Sequence, residues 1–114
     1  MTVVLILFAL AAVGGIVLAL QRFTGKTLPS LPLAIAHGIV AAAGLVALIA
    51  FIASGPGRNT VDVALGFLVV AALGGLFLFF GYHLRKRALA IPIVVIHALV
   101  AVTGFVVLLI AAMK

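Results

Sequence analysis

Residues 32–44, PLAIAHGIVAAAG, and residues 92–104, PIVVIHALVAVTG, carry a proline, a histidine, a Val-Ala pair and a glycine in one register, each within an apolar run long enough to cross a membrane. Extending the comparison outward at a constant offset of 60 aligns residues 1–54 with 61–114. Val3 matches Val63, Leu5 matches Leu65, Ala11-Ala12 matches Ala71-Ala72, Gly14-Gly15 matches Gly74-Gly75, Leu18 matches Leu78 and Lys26 matches Lys86. Apolar matches are common in so biased a composition; a Gly-Gly, Pro, His and Gly in one register are not. The chain reads as a tandem duplication.

Hydrophobic residues make up 68% of the chain, mean hydropathy is +1.62, and Asp62 is the one acidic residue. A soluble domain needs roughly a quarter charged residues, so this is a membrane protein. Polar breaks at 22–31, 54–60 and 83–90 leave apolar spans near 2–21, 32–53, 61–82 and 91–113, each near the ~20 residues that cross the hydrocarbon core. The first span has no basic residue before its apolar run, and its repeat partner lies mid-chain, so it reads as a helix rather than a signal peptide.

The expected fold is all-α: a transmembrane four-helix up-down-up-down bundle, one integral membrane domain over 1–114 built from two tandem two-helix repeats. Repeats that enter the membrane in the same direction are related by a pseudo-two-fold axis along its normal. Helices 2 and 4 then lie on a diagonal with His37 and His97 at one depth. Pro32 and Pro92 suit first helical turns, which puts each histidine roughly 8–10 Å from that end of the bundle.

A net charge of +6 belongs to membrane-flanking loops and leaves no reading head for nucleic acid. Arg22 and Lys26 share a side with Arg85, Lys86 and Arg87, against Arg58 and Lys114 opposite. The positive-inside rule places loops one and three in the cytoplasm and both termini outside, the expected location being a bacterial inner membrane. Absence of cysteine excludes disulfides, iron–sulfur clusters and covalent c-type haem attachment. Paired carboxylates, a nucleophile–base set and a phosphate loop are also missing. Gly55-Pro56-Gly57 reads as a turn, and Asp62 as a helix-start residue.

The chemistry therefore concentrates on the histidines, since intramembrane ionisable residues are functional candidates by default. At helical spacing His37 shares a stripe with Ala34, Ala41, Gly44 and Leu48, and His97 with Val94, Ala101, Gly104 and Leu108. Two facing imidazoles suit the axial positions of an iron porphyrin. Gly14, Gly15, Gly74 and Gly75 fall at the same level and are expected to leave room for the macrocycle. Arg22 and Tyr82 occupy matching positions seven residues beyond Gly15 and Gly75 and are expected to meet haem propionates, with Lys26, His83, Arg85, Lys86 and Arg87 as neighbours. The second ring nitrogens are expected to bond the carbonyls of Leu33 and Ile93. His83, whose repeat equivalent is Phe23, reads as an interfacial residue.

In span number, in histidines projecting from helices and in nearby glycines, the chain resembles the small four-helix membrane b-type cytochromes of the cytochrome b561-like kind. Many of these hold two haems on four histidines, whereas this sequence has three. The resemblance implies one haem b on His37 and His97 and a role in electron transfer, alone or within a larger redox complex, with a redox protein or quinone as partner and homo-oligomers possible. Other readings are a chlorophyll-type pigment protein with one macrocycle per histidine, a small transporter, and a cofactor-free accessory subunit. Zinc or copper alone is disfavoured, because a conventional zinc site wants three or four protein ligands.

Overall fold

In the computed structural model, residues 1–55 and 59–114 are described. The expected turn at Gly55-Pro56-Gly57 and the charge of Arg58 involve residues outside the described ones. Four helices follow in order: α1 (Thr2–Phe23), α2 (Leu31–Ala53), α3 (Asn59–Leu78), which continues as a π-helical turn over Phe79–His83, and α4 (Ile91–Ala112). All four spans are long and apolar enough to cross a membrane. The structure extends 44 × 21 × 20 Å, its long dimension matching a bilayer with its headgroup regions.

Close pairing runs α1 with α2 and α3 with α4, and α2–α3 and α1–α4 contacts close the ring. Helices 2 and 4 are thus on a diagonal, as the duplication requires. Lipid removes the usual hydrophobic drive between helices, so association depends on small residues that let backbones approach. Gly44 meets Phe8 in this way, and a methyl group there would lie 3.1 Å from the ring. At Gly104 it would lie 2.9 Å from Phe67 Cβ and 3.0 Å from Leu68 Cγ. Larger side chains such as Ile6, Leu10, Ile39, Val70 and Leu99 face outward.

The buried core is divided along the bundle. Val4, Phe8, Leu48, Val61, Ala64, Leu68, Leu108 and Ala111 pack together toward the end that carries both termini. A smaller group, Leu78, Leu89 and Val94, packs at the other end with Leu28, Tyr82 and Ile93 beside it. Burial repeats at the offset of 60: Val4 with Ala64, Phe8 with Leu68, Ala11 with Ala71, Gly44 with Gly104, Leu48 with Leu108. The histidine level lies between the two groups.

Helix starts follow the sequence. Pro32 and Pro92 fall in first turns, and Ser30 Oγ accepts the Leu33 N–H at 3.4 Å, while Ala90, its counterpart, supplies no side-chain cap. Asp62 lies in the first turn of α3, where a negative charge complements the helix dipole.

Helix ends depart from the simple repeat. At the end of α1 the Gly25 N–H donates to Arg22 O and the Lys26 N–H to Gln21 O, with Gly25 at φ +112°. At the end of the π turn the Lys86 N–H donates to His83 O and the Arg87 N–H to Tyr82 O, with Lys86 at φ +53°. Both are helix-closing motifs with a left-handed residue, but they are related by 61 residues, not 60. A π turn admits an i→i+5 hydrogen bond, here Leu84 N–H to Phe79 O at 2.8 Å, and takes up the extra residue. Loop three is one residue shorter in compensation, and Pro29 and Leu89, 60 apart, are both buried. The expected match of Arg22 with Tyr82 is therefore corrected: by hydrogen-bond register Arg22 corresponds to His83 and Gln21 to Tyr82.

Candidate functional site

The diagonal packing brings His37 of α2 and His97 of α4 together at the bundle core, with ring centroids 6.4 Å apart and planes at 89°. No other histidine, cysteine or carboxylate joins them: among the described residues no group of three such side chains is placed to hold a metal ion.

Each imidazole seats on the glycine pair of its own repeat. A Cβ at Gly15 would lie 3.0 Å from His37 Cε1, and one at Gly75 would lie 3.1 Å from His97 Cε1; at Gly14 and Gly74 the nearest ring or Cβ atoms are 3.6–3.7 Å away. The room expected for a macrocycle edge is, at these four glycines, taken by the imidazoles themselves. Gly44 and Gly104 serve packing against Phe8, Phe67 and Leu68, seven positions from the histidines, about two turns or 10 Å along the helix. Ala41 and Ala101 are half-buried between those levels.

The hydrogen bonding also differs from expectation. His37 Nδ1 is 2.8 Å from Ala11 O on α1, instead of reaching Leu33 on its own helix. A carbonyl only accepts, so Nδ1 is protonated and Nε2 carries the lone pair. His97 faces the matching carbonyl, Ala71, without completing that bond, and its Nδ1 is buried with no partner. Ala11 and Ala71 escaped the site prediction because a backbone carbonyl has no side-chain signature; the Ala-Ala match at offset 60 was the available signal.

Two nitrogen donors fall short of the set a bare tetrahedral ion needs, but suffice for a metal that arrives with four ligands of its own. By the chemistry of the donor set, His37 and His97, with ring centroids 6.4 Å apart, are the residues that would hold such a metallomacrocycle.

At the rim, Arg22 Nε donates to Leu89 O at 2.8 Å, tying α1 to the start of the second repeat's last helix. Tyr82 meets Phe77 edge-on at 5.7 Å, and the Arg87 guanidinium lies 4.9 Å above the Tyr82 ring. His83, expected at the interface, is 8% exposed and packs against Phe79 at 5.8 Å. The π turn rotates it inward. Lys26, Arg85, Lys86 and Arg87 are exposed.

No protein-family model matches the chain, and comparison with curated proteins and with solved structures brings no match. Functional assignment therefore rests on the site's own geometry.

Proposed function

We propose that the chain is a membrane b-type cytochrome that holds one haem between His37 and His97 and passes electrons, alone or as a subunit of a larger redox complex. The observation that carries this reading is the meeting of two imidazoles across the bundle diagonal, 6.4 Å apart, one of them fixed by the Ala11 carbonyl in the tautomer that leaves Nε2 as donor. A haem held there would supply one-electron chemistry, with a potential tuned by the two histidines and by burial. The chain's own residues position the donors: Gly14-Gly15 and Gly74-Gly75 let the rings approach the neighbouring helix, and Ala11 O holds one ring's angle. Arg22 and Tyr82 stand at the rim as propionate partners, with Lys26 and Arg85 to Arg87 nearby. With both histidines committed to the group, substrate would have no direct approach to its metal, which favours a carrier over an oxygen-activating enzyme. On the charge count, loops one and three face the cytoplasm of a bacterium, and an acidic redox protein or a quinone would meet the haem edge there.

One observation favours a second reading. The imidazoles already fill the niches made by the glycine pairs, as expected of a cofactor-free assembly subunit whose histidines lock helix pairs. A dithionite-reduced minus air-oxidised spectrum of the detergent-purified protein decides between them. The expected result is a low-spin b-type signal that collapses in both His37→Ala and His97→Ala. A colourless, folded protein obtained with ample haem supply would overturn the cytochrome reading.

A further inference from the structure

Five cations gather at one end of the bundle: Arg22, Lys26, Arg85, Lys86 and Arg87. The only carboxylate side chain, Asp62, lies in the first turn of α3 at the opposite end of a 44 Å structure, far beyond a screening length of about 8 Å. Nothing within the chain neutralises this end. Orientation in the membrane requires basic loops, but not that the loops form one surface, and here they do. The Leu89 N–H donates to Thr27 O at 3.2 Å, Arg22 Nε donates to Leu89 O, and Gln21 Oε1 accepts the Ser30 N–H at 2.9 Å. Loops one and three are thus joined into a single platform.

The platform's flanks are apolar. Phe23, Phe80 and Leu84 are 47%, 56% and 49% exposed, adjoining the cations in sequence, and Tyr82 holds Arg87 over its ring. Such a border sets the basic side chains at headgroup level. Repeat two also places Lys86, where repeat one has Gly25, in a left-handed backbone that glycine adopts more readily. That position keeps three consecutive cations at the price of local strain.

From these observations we infer that the joined loops form a binding site for the phosphate of an anionic phospholipid, with Arg85, Lys86 and Arg87 as principal contacts, Lys26 opposite them, and acyl chains against Phe80 and Leu84. An acidic protein would need the cations but not the apolar border, so the lipid is favoured. Lys26 and Arg85 to Arg87 also border the haem propionates in the cytochrome reading, so the test reads lipid binding and not haem content.

The test uses the full-length protein in a neutral detergent, with lipid retention followed by native mass spectrometry and thermal unfolding. Phosphatidylglycerol is expected to bind and raise the unfolding midpoint, phosphatidylcholine to do neither, and 0.5 M salt to weaken the effect. The triple variant Arg85→Gln, Lys86→Gln, Arg87→Gln is expected to bind phosphatidylglycerol at least about tenfold more weakly, with Lys114→Gln as a control that leaves binding unchanged. If the triple variant does not fold, the wild-type comparison of the two lipids and its salt dependence still decide. Equal retention of both lipids, insensitivity to salt, or the same stabilisation by inorganic phosphate or poly-glutamate would each overturn the proposal.

Discussion

At mid-membrane the two repeats keep one register, with burial matched at an offset of 60, yet at their loop ends they are one residue out of step. His37 and His97, their glycine pairs and the Phe8 and Leu68 contacts keep the offset of 60, because each is pinned by a neighbouring helix at van der Waals distance. The ends of α1 and of the π turn carry the same closing hydrogen bonds at an offset of 61. Close packing preserves register, and a loosely held helix end lets it drift. What the drift achieves is a change of side chain at one inward position, Arg22 in the first repeat and His83 in the second.

Substitution can strain this comparison at its tightest point. Gly104→Ala forces a methyl toward Phe67 Cβ, a backbone-anchored atom 2.9 Å away, whereas Gly44→Ala meets the tip of the Phe8 ring at 3.1 Å, which can swing aside. Overpacking costs about 1–3 kcal/mol, so Gly104→Ala is expected to lower unfolding stability by that amount and Gly44→Ala by less. Helical circular dichroism during thermal unfolding in detergent measures both, and equal losses would mean that the two repeats are equally rigid there.

A smaller effect is expected where the register slips. Lys86→Gly relieves a left-handed non-glycine residue and should stabilise by about 1 kcal/mol, while Gly25→Ala introduces one and should destabilise by about the same. Opposite signs from matched positions would show that the shift of 61 governs this region; a neutral Lys86→Gly would contradict it.

The mildest contrast separates the two histidines in protein free of any cofactor. His37→Leu removes the bond to Ala11 O, worth about 0.6 kcal/mol between membrane helices. His97→Leu removes a buried nitrogen whose approach to the Ala71 carbonyl falls short of a full hydrogen bond, so its replacement is expected to cost less than that of His37. Chemical unfolding of the two variants side by side checks the order, and a larger loss for His97→Leu would reverse it.

Much of the architecture was legible from residue pattern. Four spans follow from apolar length, and the diagonal follows from the Pro, His and Gly shared by 32–44 and 92–104. The inward stripe Ala34, His37, Ala41, Gly44, Leu48 is also the more buried face of α2. Three features were not legible, each for a physical reason. The partner of His37 is a carbonyl, identical in every residue. A glycine pair declares space but not what fills it, and here the imidazoles do. The π turn at Phe79–His83 leaves the spacing between repeats unchanged, because loop three returns the residue that the turn adds, so the match of Arg22 with Tyr82 looked sound on sequence alone.

The seating of each histidine on its glycine pair has a consequence for how such a chain can vary. Gly15 to His37 and Gly75 to His97 both span 22 positions, and both ends of each interval are fastened to one another. Each interval is therefore a closed circuit of constant contour length, in which a residue taken up by the helix must be surrendered by the loop. Variation inside the circuit redistributes length without moving its fastening, so the loop end can acquire new side chains while the spacing of the two imidazoles stays fixed.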